Sequence, residues 1–287
     1  METSLKFTDA NLDNLSPVSC PRTMIRRPHF FLEYHLDALR AQGRHTFTLP
    51  ELRQQFDISD QALGKAMQRL KRKKKAICLR KGFYIITPVP TPDLFIPDLM
   101  KFLNKSYYTA LLSAAAHHLL TPETSIDYHI ITTKPVVRPI RTNQLNINFY
   151  YKRQWQQDDI VDDISSPELT ALDLVHYAGR LGGFNKIIEV LDLLTEVMDA
   201  KTLANTAKNY ADTTTVQRLG YILHEVLYNA PFAESLIDYL KTVKYFPVLL
   251  HPQKQKPENM VSGNIWRVVP NIEITRSMIS ISLLKLL

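Results

Sequence analysis

Residues 59–86 read SDQALGKAMQRLKRKKKAICLRKGFYII and contain one helix pattern followed by two short apolar runs. Ser59 is a candidate helix N-cap, and apolar residues recur every three or four positions after it, which predicts an amphipathic helix. Ala76–Leu79 and Phe83–Ile86 are rich in β-forming residues. The Arg80-Lys81-Gly82 segment between them has glycine where a turn needs a positive φ. The stretch therefore predicts a helix of about residues 60–73 joined to a β-hairpin.

Two more helices are predicted immediately upstream. Leucines at helical spacing in His29–Gln42, followed by Gly43, are typical of a helix and its C-terminal cap. Thr48 is a plausible N-cap for Leu49–Phe56, since Pro50 and Glu51 occupy its first turn. Helix, short helix, amphipathic helix and hairpin together predict a winged helix-turn-helix domain over residues 29–90.

The charge of the chain is concentrated in this part. Residues 1–90 hold 16 Lys and Arg against 8 Asp and Glu, whereas the remainder holds 19 against 20. Residues 61–92 contain no acidic side chain, but they contain nine Lys and Arg. A solvated helix face usually mixes the two signs, so this pattern favours the DNA phosphate backbone as partner. The alternative is a basic face on a winged helix that serves protein contacts.

The candidate DNA contacts follow from the helical period. Gln61 and Gln68 suit adenine edges, and Lys65 and Arg72 on the same face suit guanine or phosphate. Arg80 and Lys81 at the wing suit phosphate or the minor groove. The full predicted DNA-binding set is Ser59, Gln61, Lys65, Gln68, Arg69, Arg72, Lys73, Lys75, Arg80 and Lys81.

The rest of the chain predicts a larger mixed domain over residues 91–287. The predicted fold class is therefore α+β. Residues 1–28, before the winged helix, are predicted to be a loose tail. Four prolines in Thr87–Pro97 indicate a semi-rigid linker. Tyr107–Leu120 has a helix pattern. Strands are predicted at 125–132, 136–140 and 144–151, and helices dominate afterwards, at 166–177, 185–196, 199–210, 215–227 and 232–243. Short strands are predicted near 245–249 and 265–269.

No catalytic site is predicted. The eight glycines form neither a phosphate-binding loop nor a dinucleotide turn, and the histidines and the two cysteines lack the spacing of metal ligands. We therefore expect no cofactor, no metal and no enzymatic activity. The acidic cluster at Asp158, Asp159, Asp162 and Asp163 either holds a divalent cation or is a solvated loop. With neither a signal peptide nor a membrane-length apolar run, we expect a soluble cytoplasmic protein with no membrane partner.

Several strings in order resemble those of AbiEi-type antitoxins over residues 30–240. They are the Arg80–Tyr84 wing, Tyr107–His117, Arg138-Pro139-Ile140, Ser166–Val175, Leu181–Val190 and Gln217–Tyr221. The resemblance implies a bacterial toxin–antitoxin system tied to phage defence. It implies an autorepressor that binds inverted repeats in its own promoter as double-stranded DNA. It also implies a second domain that counters a nucleotidyltransferase-like toxin of the AbiEii class, and it leaves open whether the two proteins touch.

The hypothesis from sequence is a DNA-binding antitoxin that acts either as a homodimer or as two copies paired on DNA. Tyr107, Tyr108 and Arg138 are its candidate antitoxin residues. Asp173 is interpreted as a buried hydrogen-bonding group, since it lies within an apolar helix pattern. Two alternatives stay open: a stand-alone transcriptional regulator whose second domain senses a ligand or controls assembly, and a metal-dependent nuclease built on the Asp158–Asp163 cluster.

Overall fold

The computed structural model describes residues 28–56, 58–120, 126–255 and 262–274. The predicted tail 1–28 lies outside them except for Pro28, where the first helix begins. The described helices are α1 Pro28–Ala41, α2 Leu49–Gln55, α3 Asp60–Arg72, α4 Ile96–Phe102, α5 Leu111–His118, α6 Pro167–His176, α7 Phe184–Leu194, α8 Ala200–Asn209, α9 Thr213–Tyr221 and α10 Ala230–Lys241. The described strands are β1 Thr46–Thr48, β2 Ala76–Arg80, β3 Phe83–Ile86, β4 Tyr107–Thr109, β5 Asp127–Thr132, β6 Ile140–Arg141, β7 Asn146–Tyr151, β8 Ile160–Val161, β9 Ile164–Ser165, β10 Val248–Leu249 and β11 Val268–Val269.

The N-terminal part has the element order of a winged helix, with helices α1, α2 and α3 and an antiparallel sheet in the order β1-β3-β2. Local capping determines where its helices begin. Thr48 and Glu51 form a reciprocal capping box at the start of α2, and Ser59 Oγ accepts a hydrogen bond from the Ala62 N–H at the start of α3. The predicted starts of α2 and α3 are therefore confirmed, whereas strand β1 was missed because it is only three residues long.

The second part is built on a six-stranded sheet in the order β6-β7-β5-β4-β9-β8. Its two longest strands, β5 and β7, pair in parallel, and β4 joins β5 antiparallel and β9 parallel. Helices α5 to α10 pack in the largest hydrophobic core, which also contains Tyr108 of β4 and Tyr150 of β7. The architecture is thus the mixed α+β fold that the sequence predicts.

One hydrophobic core joins the two parts. Leu79, Phe83 and Ile85 of the wing strands lie in a single buried cluster with α4 and with residues of β5 and β7. Within the predicted linker, Pro92–Leu94 forms a 3₁₀ helix, and Phe95 and Ile96 are fully buried. The expectation of a semi-rigid spacer is therefore wrong for its C-terminal half, because apolar burial there outweighs the extended preference of the prolines.

Three further element predictions are corrected. The helix predicted for Tyr107–Leu120 is split into β4 and α5, since the first residues pair with Thr132 of β5 and Ile164 of β9. The strand predicted at 136–140 is irregular up to Ile140, the first residue of β6. The helix predicted at 215–227 begins earlier and changes to a π-helix over Ile222–Val226.

No helix within the described ranges combines the length and apolarity that a membrane span needs.

Candidate nucleic-acid interface and buried polar cluster

Helix α3 presents a cationic face to solvent. Leu63, Ala66, Met67 and Leu70 are buried against the N-terminal core and fix the rotation of the helix. The opposite face exposes Gln61, Lys65, Gln68, Arg69 and Arg72. Residues three and four apart are neighbours on a helix, so these five side chains form a continuous strip. Exposed amides and cations along one helix face can reach base edges and phosphates of a major groove.

Two of the predicted DNA-binding residues, Lys73 and Lys75, form ion pairs with a glutamate of the same chain. Glu33 of α1 accepts from Lys73 Nζ at 2.6 Å and lies 3.0 Å from Lys75 Nζ. The hydrogen bonds from Lys73 and Lys75 lower the pKa of Glu33, so its carboxylate is charged at neutral pH. Lys73 and Lys75 therefore already have an anionic partner, unlike the picture of solvated cations that the sequence suggests.

The wing is docked on the second part of the chain. The Arg80 guanidinium donates a hydrogen bond to the carbonyl oxygen of Arg138 and lies 5.9 Å from the centre of the Phe149 ring. Gly82, at φ +94°, lies against Phe102 of α4. Burial is the first cause that lowers the pKa of Arg80, followed by the nearby charge of Arg138. The guanidinium of Arg80 thus holds the domain interface, while Lys81 is exposed.

A sequence signal for this docking was present. Phe83-Tyr84-Ile85-Ile86 is an unbroken apolar run, and strands buried on both faces lack the usual alternation. All four residues are buried. Tyr84 and Ile86 face the N-terminal core, and Phe83 and Ile85 face the core shared with the second part. An exposed wing needs one polar face, which this strand does not have.

The second part contains a buried polar cluster centred on Asp173 of α6. Its carboxylate accepts hydrogen bonds from Tyr108 Oη at 2.7 Å and Tyr210 Oη at 2.8 Å, and Lys152 Nζ lies at 2.9 Å. Asp173 is completely buried, whereas the Lys152 side chain is 15% exposed. The prediction of a buried hydrogen-bonding aspartate is confirmed. Its three partners come from β4, the end of β7 and the end of α8, so the cluster ties the sheet to two helices.

Burial and the Asp173 carboxylate keep the Tyr108 and Tyr210 hydroxyls protonated. Burial raises the pKa of both Tyr108 and Tyr210 well above the ordinary value, and the charge and hydrogen bond of Asp173 add to the effect. Both hydroxyls therefore stay protonated and donate. Lys152 Nζ also lies 4.1 Å from the centre of the Tyr210 ring. Three donors satisfy the carboxylate, and we call this cluster a structural clamp because it links the sheet to α6 and α8.

The three candidate antitoxin residues occupy different environments. Tyr108 is fully buried in the Asp173 cluster, so it presents no surface to a partner. Tyr107 is half-buried and donates to Asp163 Oδ2 at 2.9 Å, while the Arg138 side chain is exposed. Burial and this hydrogen bond raise the pKa of Tyr107. Of the three residues, Tyr107 and Arg138 therefore present side-chain surface to a partner.

Tyr107 opens onto a groove that the sequence did not indicate. A cavity of about 480 Å³ is lined by Lys105, Tyr107, Gln154, Trp155 and Asp163 among others. A second cavity, of about 210 Å³, shares Gln154 and Trp155 and reaches Lys152 and Tyr210 of the buried cluster. The half-buried Trp155 packs edge-on against Tyr108, with ring centres 5.0 Å apart. We call these two cavities and their lining the Trp155 groove.

The acidic cluster is dispersed by its hairpin. Asp162 and Asp163 have φ values of +50° and +61° in the turn between β8 and β9. Asp163 accepts from Tyr107, and Asp159 Oδ1 accepts from Thr206 at 2.7 Å. Within the described residues, no group of three or more His, Cys, Asp and Glu is placed to hold a metal ion. The Asp159 and Asp163 carboxylates act instead as hydrogen-bond acceptors for neighbouring elements.

Comparisons with known proteins identify a solved structure of similar fold and a matching family model. The crystal structure of the RV2827C protein from Mycobacterium tuberculosis matches 85% of this chain and 92% of that chain, with 14% identity and a TM-score of 0.56. At that identity the likeness shows a shared fold. None of the curated proteins compared with the chain matches it.

A family model described as the AbiEi antitoxin C-terminal domain matches residues 108–225. The matched segment runs from β4 to the π-helical segment after α9 and contains every member of the Asp173 cluster. It also contains Trp155 and most of the groove beside it. Residues 108–225 of this chain are therefore similar to the AbiEi antitoxin C-terminal domain.

Proposed function

We propose that this chain is an antitoxin that also represses its own promoter, and that it has no catalytic activity of its own. Its winged helix binds inverted repeats in promoter DNA, and its second part counters a nucleotidyltransferase-like toxin of the AbiEii class. The observation that carries the proposal is the AbiEi antitoxin match over residues 108–225. It is supported by the preceding part of the chain, which has the element order of a winged helix and a cationic face on α3.

The DNA interface of the proposal is the exposed strip of α3. Gln61 and Gln68 supply the contacts that read bases, and Lys65, Arg69 and Arg72 supply the charge. Lys81 adds one cation at the wing. We leave Arg80 out of this interface because its guanidinium contacts the Arg138 carbonyl and the Phe149 ring.

DNA binding is tested with the promoter fragment upstream of the chain's own coding sequence, at a series of salt concentrations. Substitution of Lys65, Arg69 or Arg72 by Ala should weaken binding and lower the salt slope by about 0.9 for each phosphate that the variant no longer neutralises. Lys208→Ala is the matched control, since Lys208 is an exposed cation on α8 in the second part. Wild-type affinity and slope in all three α3 variants would reject this helix as the DNA interface.

Antitoxin action is tested by co-expression with the product of the adjacent gene. The two parts share a buried core, so point variants of the full chain are better suited than truncations at residue 90. With both genes under heterologous promoters, the Lys65, Arg69 and Arg72 variants should still restore growth. Trp155→Ala should reduce rescue, because Trp155 lines both cavities of the groove.

A stand-alone transcriptional regulator is the alternative that this experiment distinguishes. A neighbouring gene product without toxicity, or toxicity that the wild-type chain does not relieve, would exclude the antitoxin role. DNA binding through α3 would then stand alone. Whether two copies bind as a preformed dimer or meet on two half-sites is decided by the concentration dependence of binding to one and two half-sites.

A further inference from the structure

Glu33 of α1 forms ion pairs with two lysines that follow the recognition helix. Its carboxylate oxygens lie 2.6 Å from Lys73 Nζ and 3.0 Å from Lys75 Nζ, one oxygen to each lysine. The Glu33 side chain is only 15% exposed, whereas the lysines are 47% and 43% exposed. The carboxylate is therefore held in place, and the two cations border solvent beside the C-terminal end of α3.

A carboxylate in this position competes with DNA. Lys73 is the C-cap residue of α3, and Lys75 directly precedes β2, so both continue the cationic strip of the helix. Phosphate and carboxylate oxygens make the same charge-assisted hydrogen bonds to an ammonium group. A lysine that is already neutralised releases fewer counterions from DNA and is stabilised less by a phosphate.

We propose that Glu33 is an internal competitor for phosphate that limits the affinity of the winged helix for DNA. The inference rests on the proposed DNA binding through α3. Glu33 acts on the part of the binding energy that does not depend on base sequence, because lysine contacts to phosphate carry no sequence information. Its effect is to shorten residence on duplexes of any sequence while the amides of Gln61 and Gln68 keep their access to base edges.

The test compares Glu33→Gln with the wild-type chain on a scrambled duplex and on the promoter fragment, over a range of salt concentrations. Asp238→Asn is the matched control: it removes the same charge from an exposed ion pair with Lys241, on α10 of the second part. Each additional phosphate that the chain neutralises contributes roughly eightfold in affinity at about 0.1 M salt. We expect Glu33→Gln to bind both duplexes about 8- to 60-fold more tightly, with a slope steeper by about 0.9 to 1.8, for one or two additional phosphates. Asp238→Asn should leave the slope unchanged.

Lys73→Gln and Lys75→Gln complete a double-mutant cycle. Loss of one fully neutralised phosphate changes the salt slope by roughly 0.9. In the wild-type background we expect each lysine variant to change the slope by much less than this. In the Glu33→Gln background each lysine variant should reverse part of the tighter binding. A Lys73→Gln variant that lowers the wild-type slope by the full amount for one phosphate would overturn the inference even without the Glu33 variant.

Failure of the inference and failure of the proposed function give different results. If Glu33→Gln is folded by circular dichroism but binds like Asp238→Asn, while Lys65→Ala still weakens binding, Glu33 is a structural ion pair and the inference is wrong. If the wild-type chain binds neither duplex, the proposed DNA binding fails first, and the inference fails with it.

Discussion

Replacement of Asp173 by Asn should destabilise the protein strongly without introducing any steric clash. The carboxylate has three donors around it: Oδ1 faces Lys152 Nζ and the Tyr210 hydroxyl, and Oδ2 faces the Tyr108 hydroxyl. An asparagine has one oxygen and one NH₂ group. With its oxygen toward Lys152 and Tyr210, its NH₂ group faces the Tyr108 hydroxyl, which must then accept a hydrogen bond instead of donating one. The substitution also leaves the Lys152 ammonium, 15% exposed, without its counter-charge.

Breaking a buried ion pair by removing one partner costs about 3–5 kcal/mol. Because Lys152 retains some contact with water, we expect a value near the lower end, about 3 kcal/mol. Tyr108→Phe and Tyr210→Phe should each cost about 1.5–3 kcal/mol, since each removes one hydrogen bond to a charged group. The double variant Asp173→Asn with Lys152→Met should be less destabilised than the sum of its single variants, by about 1–3 kcal/mol.

The assay is urea unfolding followed by tryptophan fluorescence, which reports on Trp155 beside Tyr108 and on Trp266, buried in the same core. Asp238→Asn is the control, because its exposed ion pair should change the free energy of unfolding by less than about 0.5 kcal/mol. An Asp173→Asn variant within about 1 kcal/mol of wild type, or a double variant that equals the sum of the singles, would refute the view of this cluster as a clamp.

Three further predictions concern pH, the shared core and a helix cap. Burial lowers the pKa of His129 in the folded chain to about 4, against about 6.5 in the unfolded chain, so the folded state excludes a proton that the unfolded state binds. Stability should therefore fall by up to about 3 kcal/mol as the pH drops from about 6.5 to about 4, and urea unfolding across that range should show a weaker dependence in His129→Gln. Phe95→Ala should lower the free energy of unfolding by about 3–5 kcal/mol. Because Phe95 lies in the core that joins both parts, circular dichroism and fluorescence should still report one coincident transition. Two separate transitions in the wild-type chain would contradict a shared core. Ser59→Ala should cost about 1 kcal/mol in thermal or urea unfolding, whereas Ser59→Asp should retain the cap of α3 and stay near wild type.

The locally determined features were predictable from sequence. Thr48, Ser59 and Asp199 each accept a hydrogen bond from a backbone N–H three residues ahead, so a short window of sequence contains the whole interaction. The buried side of α3 follows from a period of 3.6 residues in the same way. The basic character of the α3 surface is likewise a property of composition along one helix.

The features that depend on residues distant in sequence were not predictable from sequence. Tyr107–Thr109 runs without a break into the helix pattern that follows it, yet it is a strand because β5 and β9 supply backbone partners on both sides. Asp173 stood out as an aspartate in an apolar helix, but Tyr108, Lys152 and Tyr210 lie 65, 21 and 37 residues away along the chain. No periodicity spans such distances, so only folding identifies the partners.

The role of each basic residue shows the same division. The sequence by itself determined that residues 61–92 are cationic and that this charge surrounds a helix and a hairpin. Only the tertiary structure decided that Lys65, Arg69 and Arg72 face solvent, that Lys73 and Lys75 are held by Glu33, and that Arg80 is used at the interface with the second part. The physical reason is that charge is a property of the residue, whereas the partner of a charge depends on which surfaces the hydrophobic core brings together.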